Sequence, residues 1–129
     1  MRAGTKILFA VAALLVMAMA RPAAAQGVYG AFALSSSTGA YGFAYNFNTQ
    51  EEARQRALAE CVKRTSSGDC KVSANIVRNC IAVARGNNNV FGWAIGWPVD
   101  ERPERALNEC AGANGADCKV VAQFCSGTQ

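Results

Sequence analysis

The chain has 129 residues, and removing a 25-residue leader would leave 104, room for one compact domain with a modest core and no second one. It has no histidine, which excludes the usual general base near neutral pH, serine and cysteine protease triads, histidine zinc sites and histidine phosphotransfer. Three of the thirteen basic residues (Arg2, Lys6 and Arg21) fall in the leader; the ten that remain, against nine acidic ones, lack the excess of positive charge that a nucleic-acid partner requires.

In chain order, Arg2 and Lys6 precede an apolar run from Ile7 to Ala20, and Ala23, Ala24 and Ala25 precede Gln26. This order predicts a signal peptide over 1–25, cleaved after Ala25, because the run is short of the roughly 20 residues that a bilayer-spanning helix needs. The mature chain is expected to be a single domain over 26–129 without a membrane span, in the periplasm or outside the cell. All six cysteines lie in that stretch, and in an exported chain they point to disulfides rather than to a zinc or redox site. No metal and no cofactor are expected.

The mature chain reads as one unit used twice, over about 28–79 and 80–125. A shift of 50 places Ala31–Phe47 on Ile81–Trp97, a shift of 49 places Ala57-Leu58-Ala59-Glu60-Cys61 on Ala106-Leu107-Asn108-Glu109-Cys110, and a shift of 48 places Asp69-Cys70-Lys71-Val72 on Asp117-Cys118-Lys119-Val120. Each unit opens with an apolar strand, Val28–Leu34 or Ile81–Ala84, and a polar hairpin turn at Ser35–Gly39 or Gly86–Asn89.

The second strand of each unit alternates large and small residues: Tyr41, Phe43, Tyr45 and Phe47 against Gly42, Ala44 and Asn46, then Phe91, Trp93, Ile95 and Trp97 against Gly92, Ala94 and Gly96. A helix follows. In the first unit Thr49 and Glu52 form a capping box, Ala53, Ala57, Leu58 and Cys61 share one face, and Glu52–Arg56 and Glu60–Arg64 stand at the spacing of ion pairs. In the second unit the helix is expected over Glu101–Ala111, with Asp100 as cap and Pro103 in the first turn. Turns at 66–69 and 112–117 lead to closing strands Lys71–Asn79 and Lys119–Phe124. Two ββαβ units imply an α+β fold, a mainly antiparallel sheet carrying two helices and stapled by disulfides.

Fifteen pairings of six cysteines are possible, and the repeat selects among them. Cys61 corresponds to Cys110 and Cys70 to Cys118, so Cys61–Cys70 and Cys110–Cys118 satisfy both units with one geometry. Cys80 and Cys125 remain, opposite Gly30 and Val77 in this alignment, and their bridge is expected to tie one unit to the other.

The order GAFAL, AYGFAYNF, ALAEC and DCKV, then GWAIGW, ALNEC and DCKV again, resembles domain-of-unknown-function family 4189, small secreted bacterial domains, from about Gly27 to Ser126. The resemblance implies an exported, disulfide-bonded repeat domain and brings no catalytic residues with it.

Seven of the ten aromatic residues of the mature chain lie on the two alternating strands. Two arrangements satisfy the alternation. Either the aromatics are core and the glycines permit tight packing, or the helices cover the small face and leave a ridge of Tyr41, Tyr45, Trp93 and Trp97 to stack on sugar rings or anchor a protein. Carboxylate pairs suited to glycoside cleavage are Glu51 with Glu52, Asp100 with Glu101, and Asp69 with Asp117, although helix starts and turns already account for them. The expected function is therefore a secreted or periplasmic, non-catalytic interaction module for a protein or a cell-wall polysaccharide. A secreted inhibitor or host-directed effector, acting through the loops Ser35–Gly39 and Arg85–Asn89, is the alternative, and a carboxylate-based wall-glycan hydrolase is the third reading.

Overall fold

The computed structural model describes residues 27–127, so the leader predicted over 1–25 lies outside the described residues. The elements run β1 (Tyr29–Leu34), β2 (Tyr41–Phe47), α1 (Gln50–Val62), β3 (Lys71–Val77), β4 (Asn79–Arg85), β5 (Phe91–Ile95), α2 (Arg102–Gly112) and β6 (Lys119–Ser126). The ββαβ order occurs twice, and all strand pairing is antiparallel. The strands are divided between two three-stranded sheets, one per unit, in the orders β2-β1-β3 and β5-β4-β6. No described helix is long and apolar enough to cross a membrane.

Strand alternation dictates how these parts stack. On one face of the first sheet Ala31, Ala33 and Ala44 meet Ala53, Ala57 and Cys61 of α1. On the second sheet Ala82, Ala84 and Ala94 meet Ala106 and Cys110 of α2. The opposite faces carry the large side chains, and they cover each other: Phe32, Leu34 and Ile76 of the first sheet pack with Ile81 and Val83 of the second. The result is a four-layer α/β/β/α stack. Gly42 and Gly92 let the helices sit close, since a Cβ on Gly92 would lie 2.6 Å from the Glu109 carbonyl carbon and 2.7 Å from Cys110 Cα.

The register of the units differs from the sequence alignment at one point. Val83 pairs with Trp93 as Phe32 pairs with Phe43, so β4 follows β1 by 51 residues while β5 follows β2 by 50. The first hairpin turn is one residue longer than the second. Both closing strands carry the same bulge, opposite Phe32/Ala33 in one sheet and Val83/Ala84 in the other.

The disulfides join Cys61 to Cys70, Cys110 to Cys118 and Cys80 to Cys125. The first two span from helix end to strand start, with Cα separations of 6.1 and 6.2 Å. The third does not tie the units together: Cys80 and Cys125 are register partners on β4 and β6 of the second sheet, and their counterparts are the pair Tyr29 and Val77. What joins the units is the inter-sheet core, with the Tyr41 hydroxyl donating to Val121 O and Ser126 Oγ accepting from Asn46 N.

Two helix-start expectations fare differently. Thr49 caps α1, its hydroxyl accepting from Glu52 N at 3.1 Å. Asp100 does not cap α2: Glu101 stands at the N-cap without a side-chain bond, and Pro98 O accepts from both Glu101 N and Arg102 N at 3.0 Å. Lys71–Asn79 is likewise not one strand, because Arg78 at φ 46° turns the chain from β3 into β4.

Candidate functional site

Of the four aromatic residues singled out as a ridge, the fold brings two inside and leaves two outside. Trp93 packs 6.0 Å from Phe32, and Tyr41 lies 6.1 Å from Phe32 and 6.3 Å from Phe91, both partly buried against the inter-sheet core. Tyr45 and Trp97, at 50% and 52% exposure, stay at the surface on different units. The ridge is therefore not continuous. The helices do cover the small faces, yet the aromatic faces are covered as well, each by the other sheet.

The exposed aromatics mark two grooves related by the repeat. The first, about 370 Å³, runs between β2 and α1 and is lined by Phe43, Tyr45, Phe47, Arg56, Glu60 and Arg64. The second, about 320 Å³, runs between β5 and α2 and is lined by Trp93, Ile95, Trp97, Arg105 and Glu109. Under the structural register Phe47 corresponds to Trp97, Arg56 to Arg105 and Glu60 to Glu109. Both grooves open along edge strands, since β2 and β5 are outermost in their sheets.

Trp97 is held in an uncommon conformation. Its φ is 63°, in the left-handed region that costs a bulky residue about 1–3 kcal/mol, and it follows Gly96 at φ 80°. The buried Arg102 fixes this turn by donating from Nε to Gly96 O at 2.6 Å and from Nη2 to Trp97 O at 2.9 Å. The Arg105 guanidinium stacks 3.2 Å from the centre of the indole ring. An exposed indole is thus gripped through its backbone and through one ring face. Sequence reasoning singled out Trp97 but missed Arg102, whose counterpart under the repeat, Ala53, is apolar.

The first groove differs in charge. Glu60 pairs with Arg56 at 3.1 Å and with Lys63 at 3.2 Å, and the Lys63 hydrogen bond holds its carboxyl below the usual carboxylate value. The expected Glu60–Arg64 pair does not form. α1 ends at Val62, so Arg64 has left the helical path, and its Nη1 donates instead to Tyr41 O at 2.7 Å.

Four of the six carboxylates singled out, Asp69, Asp117, Glu51 and Glu101, are engaged within the fold. Ser35, fully buried, donates to Asp69 Oδ1 at 2.5 Å and accepts from the Thr38 hydroxyl, while Ser67 also donates to Asp69 Oδ1 and Ser37 N to Oδ2. These donors hold the Asp69 carboxyl well below the usual carboxylate range, the Ser35 hydroxyl contributing most. A carboxylate so stabilised is a poor base, and the cluster clasps the first hairpin to the turn before Cys70. Asp117 accepts from Asn87 at the matching place, Glu51 accepts from Gln55, and Glu101 pairs with Arg105 at 3.7 Å. Among the described residues no group of three or more acidic, cysteine or histidine side chains is placed to hold a metal ion.

The sequence profile of a domain of unknown function, DUF4189, matches residues 29–125, which span both repeats and all three disulfides. The chain belongs to the DUF4189 family. Neither the curated proteins nor the solved structures give a significant match to this DUF4189 domain.

Proposed function

We propose that this DUF4189 domain is a non-catalytic interaction module of the cell envelope or the secreted fraction, and that it holds cell-wall polysaccharide in its two edge-strand grooves. The observation that carries the reading is the repetition of one groove design, an aromatic side chain beside arginine and glutamate on an open sheet edge, with the Trp97 indole locked in place by Arg102. A ring face flanked by charged hydrogen-bonding groups suits a sugar, which presents an apolar face and a polar rim. Three disulfides suit an exported chain.

The inhibitor reading draws less support, because the hairpin loops spend their polar groups internally. Asn88 donates to Asn114 O and accepts from Ala116 N, and Asn89 donates to Ser37 O. The hydrolase reading asks for two free carboxyls facing one bond, and the groove glutamate Glu60 is already engaged with two cations. Cosedimentation of the oxidised protein with purified sacculi tests the proposal. Binding that falls in the Tyr45→Ala/Trp97→Ala variant supports it; no binding, or equal binding by that variant, sinks it, and release of soluble fragments would move the reading to a hydrolase.

A further inference from the structure

We infer that the pocket between Arg64 and Arg85 is a binding site for an oxyanion carried on a ring or other flat body. The pocket, about 300 Å³, lies where the two repeats meet at the hairpin end, with Tyr41 and Phe43 as its apolar wall and Thr38 and Gly39 at its rim. Arg64 reaches it from just beyond α1 and Arg85 from the end of β4. Their guanidinium carbons stand 6.0 and 5.7 Å from the Tyr41 ring centre.

Each arginine is fixed by one hydrogen bond to the same short backbone segment, Arg64 to Tyr41 O and Arg85 to Gly39 O, both at 2.7 Å. A guanidinium has five N–H donors, so this anchoring leaves most of each fork available. Among the described residues no carboxylate lies within ion-pair distance of either one. Two like charges on one aromatic ring repel each other, and an anion between them relieves that repulsion while matching the planar fork geometry.

The repeat supplies an internal control. By the structural register Tyr41 corresponds to Phe91, Arg64 to Ala113 and Arg85 to Leu34. The equivalent place beside Phe91, formed by Ala113 of the second unit and Leu34 of the first, therefore carries neither cation although strands, helix and disulfide are repeated. The repeated fold is thus built at that place without the two cations, whereas beside Tyr41 both converge on one pocket.

The inference deepens the groove reading and rests on it, because this pocket shares Phe43 and Arg64 with the first groove. Glucuronate, glucose 6-phosphate and glucose offer the same ring with a carboxylate, a phosphate or neither. Chemical-shift titration of the labelled protein in phosphate-free, low-salt buffer is expected to show saturable shifts at Thr38–Phe43 for at least one of the two anions, with glucose weaker by about tenfold or more. The stronger anion names the source of the oxyanion. Arg64→Ala with Arg85→Leu installs the side chains found at the equivalent place beside Phe91 and is expected to weaken the anion by about tenfold or more with the fold retained. Should the double variant fail to fold, the single Arg64→Ala exchange at an exposed position is read in its place. Equal binding of glucose, absence of saturation by about 10 mM, or unchanged binding by the variant overturns the inference. Loss of sacculus binding with the anion titration intact would strike the polysaccharide reading alone.

Discussion

Replacing Gly92 by alanine probes the closest contact in the fold. A Cβ there would lie 2.6 and 2.7 Å from the Glu109 carbonyl carbon and Cys110 Cα, and nearer still to Cys110 N, all backbone atoms of α2. The helix cannot slide away freely, because Cys110 is bonded to Cys118 at the start of β6. The strand cannot retreat either, since Trp93 and Phe91 on its other face fill the inter-sheet core. Overpacking of this kind costs about 2–3 kcal/mol. For a domain of this size that lowers the thermal midpoint by roughly 10–20 °C. Gly112→Ala serves as control: a Cβ there meets nothing within 4 Å, and at the end of α2 alanine is neutral or stabilising by up to about 1 kcal/mol. Thermal unfolding of the oxidised proteins by circular dichroism reads both. A Gly92→Ala midpoint equal to that of the Gly112→Ala protein would refute the claim that the helices press on the small faces of the sheets.

Removal of the Cys80–Cys125 bridge, which closes 45 residues, is expected to cost about 4 kcal/mol, against about 2.6 kcal/mol for Cys61–Cys70, which closes 9, and guanidinium titration of the paired alanine variants checks the order. Asp69→Asn is expected to lower the unfolding midpoint at pH 7. The folded carboxyl is depressed, so its stabilisation is complete above the unfolded value near 4 and is lost as pH falls below it. The gap between wild type and Asp69→Asn should therefore narrow on acidification, and a gap independent of pH would contradict the clasp. Trp93→Ala is expected to destabilise by about 3–5 kcal/mol as a core truncation, while Trp97→Ala changes stability by no more than about 1 kcal/mol, and the two midpoints measured together separate core from surface.

The duplication was legible because ALAEC/ALNEC and DCKV/DCKV preserve cysteines and charges at matching places. Its register in the first strand was not. Ala31, Ala33, Ile81 and Val83 are all apolar, so a shift of 50 or 51 looks equally good in composition, although a one-residue slip inverts every side chain between the two faces. That slip is why Cys80 aligned with Gly30, and why its bridge appeared to join the units. The break at Arg78 carried no glycine or proline to announce it. The fate of the aromatics depended on a second sheet that strand periodicity cannot reveal, since alternation says which residues share a face and not what covers it. Arg64 and Arg102 were not legible as site residues, and Arg85 only as the edge of a candidate loop, because each acts through backbone carbonyls, which carry no side-chain signature in the sequence.

The central claim is that the two grooves flanked by Tyr45 and Trp97 form the interaction surface. Its most direct test is quantitative cosedimentation of wild-type and Tyr45→Ala/Trp97→Ala protein with purified sacculi, after matching their unfolding midpoints. Saturable wild-type binding that drops about tenfold or more in the variant is the predicted result. Wild-type protein left in the supernatant, or variant protein sedimenting as the wild type does, would contradict it.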